Sequence, residues 1–383
     1  MISAAEFAAY NREVARIGDR AAADVESSVL AWCRSHEDAT VAEKREAAKL
    51  IMEGFVQGYD DVAAEFAAQW YDHRAEQGGA RLEQAVTMTT YGPDSVDAVA
   101  RYQARKLAKG DDAAFAKACG EFARDDAFRS LNETIIANVG RDKDKGVRFA
   151  RVPTGFETCT FCLMLASRGA VYHTRKSAGE FKHFHRRCDC KVVPSFEDDA
   201  DAELVEGVRP KELYERYRAI KQIDSMEGLT DSDRQELAER ALRVEVESIA
   251  GKKLGSVKYV KSRDSLEGHE KAGIDNLLLN GFDIETVKED PHAPANLNIS
   301  MNGELWEMKN LTNRASSVSN QVKRARIKWF KLGLSSPSRC VFTNEGNEDG
   351  FDETCAALEK RRRPGEVFLA VSNRGVVRVL SDK

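Results

Sequence analysis

An Asn-Gly dipeptide between two alternating runs fixes the register of a β-hairpin more tightly than any other feature constrains this chain. Asn302-Gly303 sits inside Asn-Leu-Asn-Ile-Ser-Met-Asn-Gly-Glu-Leu-Trp-Glu-Met-Lys-Asn, residues 296–310. A type I′ turn needs positive φ at both central residues, which Asn and Gly tolerate. The two-residue turn sets Met301 opposite Glu304, Ile299 opposite Trp306 and Asn298 opposite Glu307. Leu297 then faces Met308, and Asn296 faces Lys309. Opposed residues share a side of the sheet and successive residues alternate sides. The spacing therefore predicts an apolar face of Leu297, Ile299, Trp306 and Met308, and a polar face of Asn296, Asn298, Glu307 and Lys309. A carboxylate and a lysine on one face suit metal-dependent phosphodiester chemistry: the acid holds a divalent ion and the lysine orients the attacking water. The plainer alternative is a solvated hairpin face.

Trp306-Glu307-Met308-Lys309 after this turn resembles the E-x-K half of the PD-(D/E)xK nuclease pattern. Residues from about Leu266 to Asn344 resemble the C-terminal nuclease domain of contact-dependent growth inhibition (CdiA-type) toxins, a family associated with tRNA cleavage. The resemblance implies Mg²⁺ on Glu307 and the Met308 carbonyl, Lys309 as the catalytic lysine and Glu270 as the acid on the preceding helix. The chain departs from the pattern on the first strand, where the family carries Asp: that position is Asn298 by this register, or Asn296 if the strand is offset. A neutral amide keeps one oxygen ligand but lacks the charge that makes a hard-cation site tight.

A second constellation is Cys159-Thr-Phe-Cys162 followed by His185-Arg-Arg-Cys188-Asp-Cys190. Two cysteines separated by two residues present both thiolates to one tetrahedral ion, and His185, Cys188 and Cys190 offer the remaining ligands. A four-thiolate site and a three-thiolate site with one imidazole both fit, and the site would be closed and structural. Two disulfides or unligated core thiols are the competing readings, disfavoured in a cytosolic chain. The stretch from Gly155 to Pro194, with Cys-x-x-Cys, Ser167-Arg-Gly-Ala-Val-Tyr172 and His-x-x-Cys-Asp-Cys, is similar to the MuF-like minor head proteins of tailed phages. That resemblance covers roughly residues 1–200 and implies a virion role beside portal and head proteins.

The rest is organised around these two stretches. Up to about Gly140 the chain is Ala-rich and helical in period. Ile51, Phe55, Tyr59, Val62, Phe66 and Trp70 form one expected stripe, while Phe115, Cys119, Phe122, Leu131 and Ile135 form another. Cys33 and Cys119 read as core, and His36 and His73 as surface. Val147 to Pro153 alternates as a short strand. Pro210 suits a first helical position, and Ser232-Asp-Arg-Gln235 reads as a capping box. Beyond Val257, strands and helices alternate as in a mixed α/β core. A helix over about 317–332 carries Gln321, Lys323, Arg324 and Lys328 as candidate substrate contacts, through phosphate binding rather than base reading.

With 383 residues and a net charge of −5, the chain has room for several domains and no global basic excess. It shows neither a signal-peptide pattern nor an apolar run approaching the ~20 residues that span a bilayer. The expected architecture is a mostly α-helical scaffold (1–146), a Cys/His zinc module (147–198), a helical linker (199–255) and an α/β domain with a mixed sheet (256–383). The expected function is a phage or prophage minor head protein carrying a metal-dependent tRNA nuclease toxin, with Zn²⁺ and Mg²⁺ as cofactors. Such a protein would be found in the virion and the bacterial cytoplasm, with an immunity protein as a further partner and no membrane. DNA as the target, or a purely structural head protein with an inactive nuclease-like fold, is the alternative.

Overall fold

The computed structural model describes residues 1–154, 160–178, 190–260, 262–311, 315–334, 338–344 and 350–382. The chain divides into two compact units, Met1–Leu213 and Tyr214–Lys383.

The first unit is built on three long helices, α1 (Ala4–Ser35), α2 (Val41–Gln77) and α4 (Asp112–Asp142), with the shorter α3 (Pro93–Gln103) between the last two. Ser3 caps α1 by accepting from the Glu6 N–H, and Thr40 with Glu43 forms a capping box on α2. Small residues let the helices close up. A Cβ on Gly120 of α4 would lie 2.5 Å from the Ala22 carbonyl of α1, so only glycine permits that approach. The expected α2 stripe is shifted. Met52, Val56, Ala63, Ala67 and Tyr71 are fully buried, Ile51, Phe55, Tyr59, Phe66 and Trp70 pack at the flanks, and Val62 is 51 % exposed. The reason is that α2 packs against both α1 and α4, so alanines mark its most enclosed line and aromatics fill its edges. Along α4 the expected Phe115, Cys119, Phe122, Leu131 and Ile135 are all buried; Cys33 is buried too, and His36 and His73 are exposed.

Between α2 and α3 the chain runs as a strap without helix or strand, and its main chain bonds to polar side chains of α4. Val86 N–H donates to Asn138 Oδ1 at 2.9 Å, and Asn138 Nδ2 donates to the Val86 carbonyl at 2.8 Å. Met88 N–H donates to Thr134 Oγ1 at 2.9 Å, and that hydroxyl reaches the Met88 carbonyl at 3.0 Å. Thr90 N–H donates to Ser130 Oγ at 2.8 Å. Every second residue of the strap therefore meets every fourth residue of one helix face. Below Ser130 that face continues to Asp126, which is fully buried, as is Asp60 on α2. Strands β1 (Arg148–Val152) and β2 (Lys191–Ser195) pair antiparallel, with α5 (Thr160–Ala166) between them in the chain.

The division between the units falls inside α6 (Pro210–Asp224). Residues expected to form a spacer belong instead to the core of the second unit. Ala219 and Ile223 of α6, and Leu237 and Ala241 of α7 (Asp231–Arg243), share one apolar cluster with Ile274 and Leu277 of α8 (Gly268–Leu279). Arg263 locks them further. It is 6 % exposed and bonds Asp275 of α8 at 2.6 and 3.0 Å, with Glu236 of α7 at 2.9 Å. The capping box of α7 is formed by Thr230 and Asp233 rather than Ser232 and Gln235.

A seven-stranded mixed sheet completes this unit in the order β3-β4-β5-β6-β7-β8-β9. The strands are β3 (Val257–Lys258), β4 (Ile284–Thr286), β5 (Ile299–Met301), β6 (Glu304–Leu311), β7 (Arg339–Asn344), β8 (Val367–Ser372) and β9 (Val377–Leu380). Pairs β4–β5, β5–β6 and β8–β9 are antiparallel, while β3–β4, β6–β7 and β7–β8 are parallel. One face packs on α8 through Ile299, Trp306, Met308, Val341 and Leu369. The other packs on α9 (Ala315–Lys331) and α10 (Phe351–Glu359) through Leu311, Cys340, Phe342 and Phe368. From α8 the order of elements is thus helix, three antiparallel strands, helix, and a strand parallel to the third.

Candidate functional site

Next to the turn the hairpin register is the expected one, but the expected pairs beyond it, Asn298–Glu307, Leu297–Met308 and Asn296–Lys309, are not among its strand pairs. Met301 pairs with Glu304, Ser300 with Leu305 and Ile299 with Trp306. Asn302 at φ 53° and Gly303 at φ 77° supply the two positive angles of the turn. Along β6 the side chains alternate, so Trp306 and Met308 face α8 while Glu307 and Lys309 face α9. Glu307 is fully buried. One of its oxygens, Oε1, meets the Lys309 ammonium and the Lys328 ammonium of α9, the latter at 2.7 Å. The other, Oε2, is buried with no hydrogen-bond partner among the described residues. Lys328 also donates to the Asn296 carbonyl at 3.0 Å, which holds α9 against the strand entering the hairpin. Across the ladder from Glu307 lies Cys340. Burial pushes its thiol up, with the Glu307 charge adding to the effect, so it stands as a neutral wall.

Asn298 departs from the simple alternation. Its N–H donates to the Trp306 carbonyl at 3.1 Å, already the partner level of Ile299, as in a bulge. Its Oδ1 accepts from the Met308 N–H at 2.8 Å, and its Nδ2 donates to Glu270 Oε1. Glu270 in turn caps its own helix, with Oε2 accepting from the Glu267 N–H at 3.1 Å. The approach of α8 depends on Gly273, where a Cβ would fall 2.5 Å from Met308 Cε. The four residues expected to act together are thus joined as two pairs. Glu270 and Asn298 bond on the α8 side, and Glu307 and Lys309 bond on the α9 side together with Lys328.

Residues three, four and seven apart share a helix face, so Gln321, Arg324 and Lys328 lie on the side of α9 that meets Glu307. Lys323 does not. It lines a groove with Arg326 on the other flank of the helix. The role of Lys328 as a direct partner of Glu307 has no sequence signal, because it is a contact between separate elements.

Of the expected zinc ligands, Cys159, His185 and Cys188 lie outside the described residues. Cys162 and Cys190 are buried. Cys162 accepts from Arg151 at 3.6 Å, and Arg151 pairs with Val192, two residues beyond Cys190. Both cysteines therefore come to the same end of the β1–β2 ribbon. Among the described residues no group of three or more His, Cys, Asp or Glu is arranged to hold a metal ion, and no helix is long and apolar enough to cross a membrane.

The buried pair Asp60 and Asp126 was not legible as a site. Desolvation and the Asp126 charge push Asp60 up to about 8, and burial also raises Asp126, against the pull of the Arg129 guanidinium beside it. Its available signal was positional: Asp60 stands four residues beyond Val56 and seven before Ala67, on the buried line of α2.

These features define a two-unit protein, a helical body followed by an α/β body with a buried carboxylate between two lysines. The chain belongs to the VG15 protein family, whose model matches residues 1–220. The match points to a viral, phage-type protein and spans the helical unit with the β1–β2 ribbon. No curated protein and no solved structure matches the chain.

Proposed function

We propose that this VG15-family chain is a MuF-like minor head protein of a tailed phage or prophage, and that its second unit is a toxin-like nuclease acting on phosphodiesters, tRNA first. The observation that carries the catalytic half is Glu307, fully buried beside Lys309 and Lys328 with one oxygen unpartnered. A buried carboxylate oxygen without a donor is costly unless something completes it. The helix, three-strand, helix, strand order around it is what the PD-(D/E)xK resemblance leads one to expect.

The donor set suits a hard cation held by one carboxylate and otherwise by water and phosphate oxygens, as Mg²⁺ commonly is. Glu307 Oε2 is the protein ligand. Bound there, Mg²⁺ supplies Lewis-acid polarisation of the phosphoryl group. Lys309 orients the attacking water, and Lys328, on the facing helix, meets the charge that grows on the phosphoryl oxygens. Asn298 and Glu270 act by position: the amide ties the Met308 N–H to α8 and so fixes the strand that presents Glu307 and Lys309. In the first unit, four of Cys159, Cys162, His185, Cys188 and Cys190 would hold a structural zinc ion. An immunity protein that binds the second unit protects the producing cell.

The test is incubation of the full chain with total tRNA and with plasmid, with Mg²⁺ and with chelator. Metal-dependent cleavage lost in Glu307→Gln is the expected result. Intact substrates at high protein concentration leave the second reading, an inactive nuclease-like fold in a structural head protein, which the commitment of Asn298 to Glu270 favours. Elemental analysis should find about one zinc per chain.

A further inference from the structure

We infer a second binding site on the far flank of α9, an exosite for an unpaired stretch of nucleic acid. A groove of about 550 Å³ runs between α9 and the connection that follows α10. Its wall on the helix carries Lys323, Ile327 and Phe330, and its opposite wall carries Arg361 and Arg363. Phe330 is 86 % exposed and Ile327 is 44 % exposed, although both sit on a helix whose other face is packed into the core. An aromatic ring left this bare on an ordered helix is a stacking platform awaiting a flat partner.

The charges point to the same occupant. Arg326, in the floor, is spent on the fold. It makes a two-pronged bond to Glu366 at 2.7 and 2.6 Å and another to the Arg361 carbonyl at 2.6 Å, which pins the two walls together. Lys323, Arg361 and Arg363 pair with no carboxylate among the described residues. Three uncompensated cations around an exposed ring match phosphates flanking an unstacked base, and base pairing in a duplex would withhold the base from the ring. The proposal rests on the nuclease reading for its purpose. A strand leaving the Glu307 side of α9 reaches the groove by crossing one helix, about 10–12 Å, so the exosite would hold substrate beside the place of cleavage.

The test uses the full chain carrying Glu307→Gln, in chelator, so that binding is read without cleavage. The probe is a fluorescein-labelled single-stranded RNA 12-mer followed by anisotropy. Phe330→Ala is expected to weaken binding by about tenfold or more, the range for losing one base–aromatic stack, and Phe330→Trp to retain it. Arg361→Ala with Arg363→Ala should lower the slope of log affinity against log salt, by about 0.7 per lost phosphate contact on a single strand. Equal binding by Phe330→Ala and its parent overturns the exosite. So does equal competition by a duplex of the same length or by an acidic peptide, which would make the groove a general polyanion or protein surface. Phe330-dependent binding, together with no cleavage by the unsubstituted chain in Mg²⁺, would sink the nuclease reading and leave the exosite standing.

Discussion

Each unit of this protein buries a carboxylate, Asp60 in one and Glu307 in the other, and the two are neutralised differently. In the helical unit, Asp60 and Asp126 face one another across two helices, and burial drives Asp60 towards its neutral form. In the α/β unit, Glu307 is equally buried but sits against two lysine ammoniums. A proton on Asp60 and the Arg129 guanidinium beside Asp126 settle the first arrangement and leave a self-contained joint. Two lysine cations settle the second, and both keep some access to solvent, with side chains 16 % and 34 % exposed. Cations with access to solvent can meet a ligand, whereas a proton on a buried acid cannot. The difference teaches that burial of an acid does not by itself mark a site; the nature of its compensation does.

The largest expected effect breaks the comparison at the second unit. Glu307→Gln should lower tRNA cleavage by on the order of 10²–10³-fold, the scale for removing a preorganised electrostatic group, while Asp60→Asn leaves cleavage unchanged. Because Lys309 and Lys328 reach water, the Glu307→Gln chain should stay folded, which circular dichroism checks.

The second prediction concerns pH. In the unfolded chain Asp60 ionises near about 4, whereas in the folded chain burial holds its proton up to about 8. Between those values the folded state binds a proton that the unfolded state has released. Its stabilising contribution is therefore complete below about 4, declines as pH rises, and is gone above about 8. Melting of the helical unit followed across that window should shift downward with pH, and Asp60→Asn should flatten the slope. A slope unchanged by the amide would show that Asp60 is not the group responsible.

A third, smaller effect tests Asn298. The family resemblance makes Asp the expected residue here, and on charge alone Asn298→Asp would tighten a metal site. The hydrogen bonds argue otherwise. An Asp at 298 loses the donor to Glu270 and sets two carboxylates together, so the substitution should cost about 1–3 kcal/mol in denaturant unfolding without raising cleavage. Increased Mg²⁺-dependent turnover in that variant would restore Asn298 to the polar face beside Glu307. The smallest effect lies in the strap: Thr134→Val should cost about 1 kcal/mol and speed amide exchange at Met88 while leaving the rest of the helical unit protected.

How much of this was legible in the residues depends on how local each cause is. The Asn302-Gly303 turn is local chemistry, so the register from Met301–Glu304 to Ile299–Trp306 could be read directly. The bulge at Asn298 could not, because it depends on α8 approaching through Gly273 and offering Glu270 as an acceptor. The helical unit shows the same division. Phe115, Cys119 and Leu131 follow the helical period and are buried as expected, while α2 is shifted because its surroundings, not its own sequence, decide which flank is enclosed. Residues 199–255 looked like a spacer for a related reason: Arg263, Asp275 and Glu236 are separated in the chain, and only the fold brings them together. The polar series Asp126, Ser130, Thr134 and Asn138, four apart and buried on α4, was a readable sign of a docked segment that periodicity of apolar residues alone does not detect.

That docked segment has a consequence for engineering. The helix grips residues 86–90 by their amides and carbonyls, and Val86 and Met88 are half exposed. At 86 and 88 the grip is thus blind to the identity of the letter it holds, whereas Thr90 also sets its hydroxyl 3.0 Å from that of Ser130. A foreign epitope or tag could be written across these positions with little penalty, provided no proline falls at 86, 88 or 90, where a missing amide hydrogen would open a rung. A VG15-family body of this kind would carry inserted peptides on its surface while its three long helices stay undisturbed.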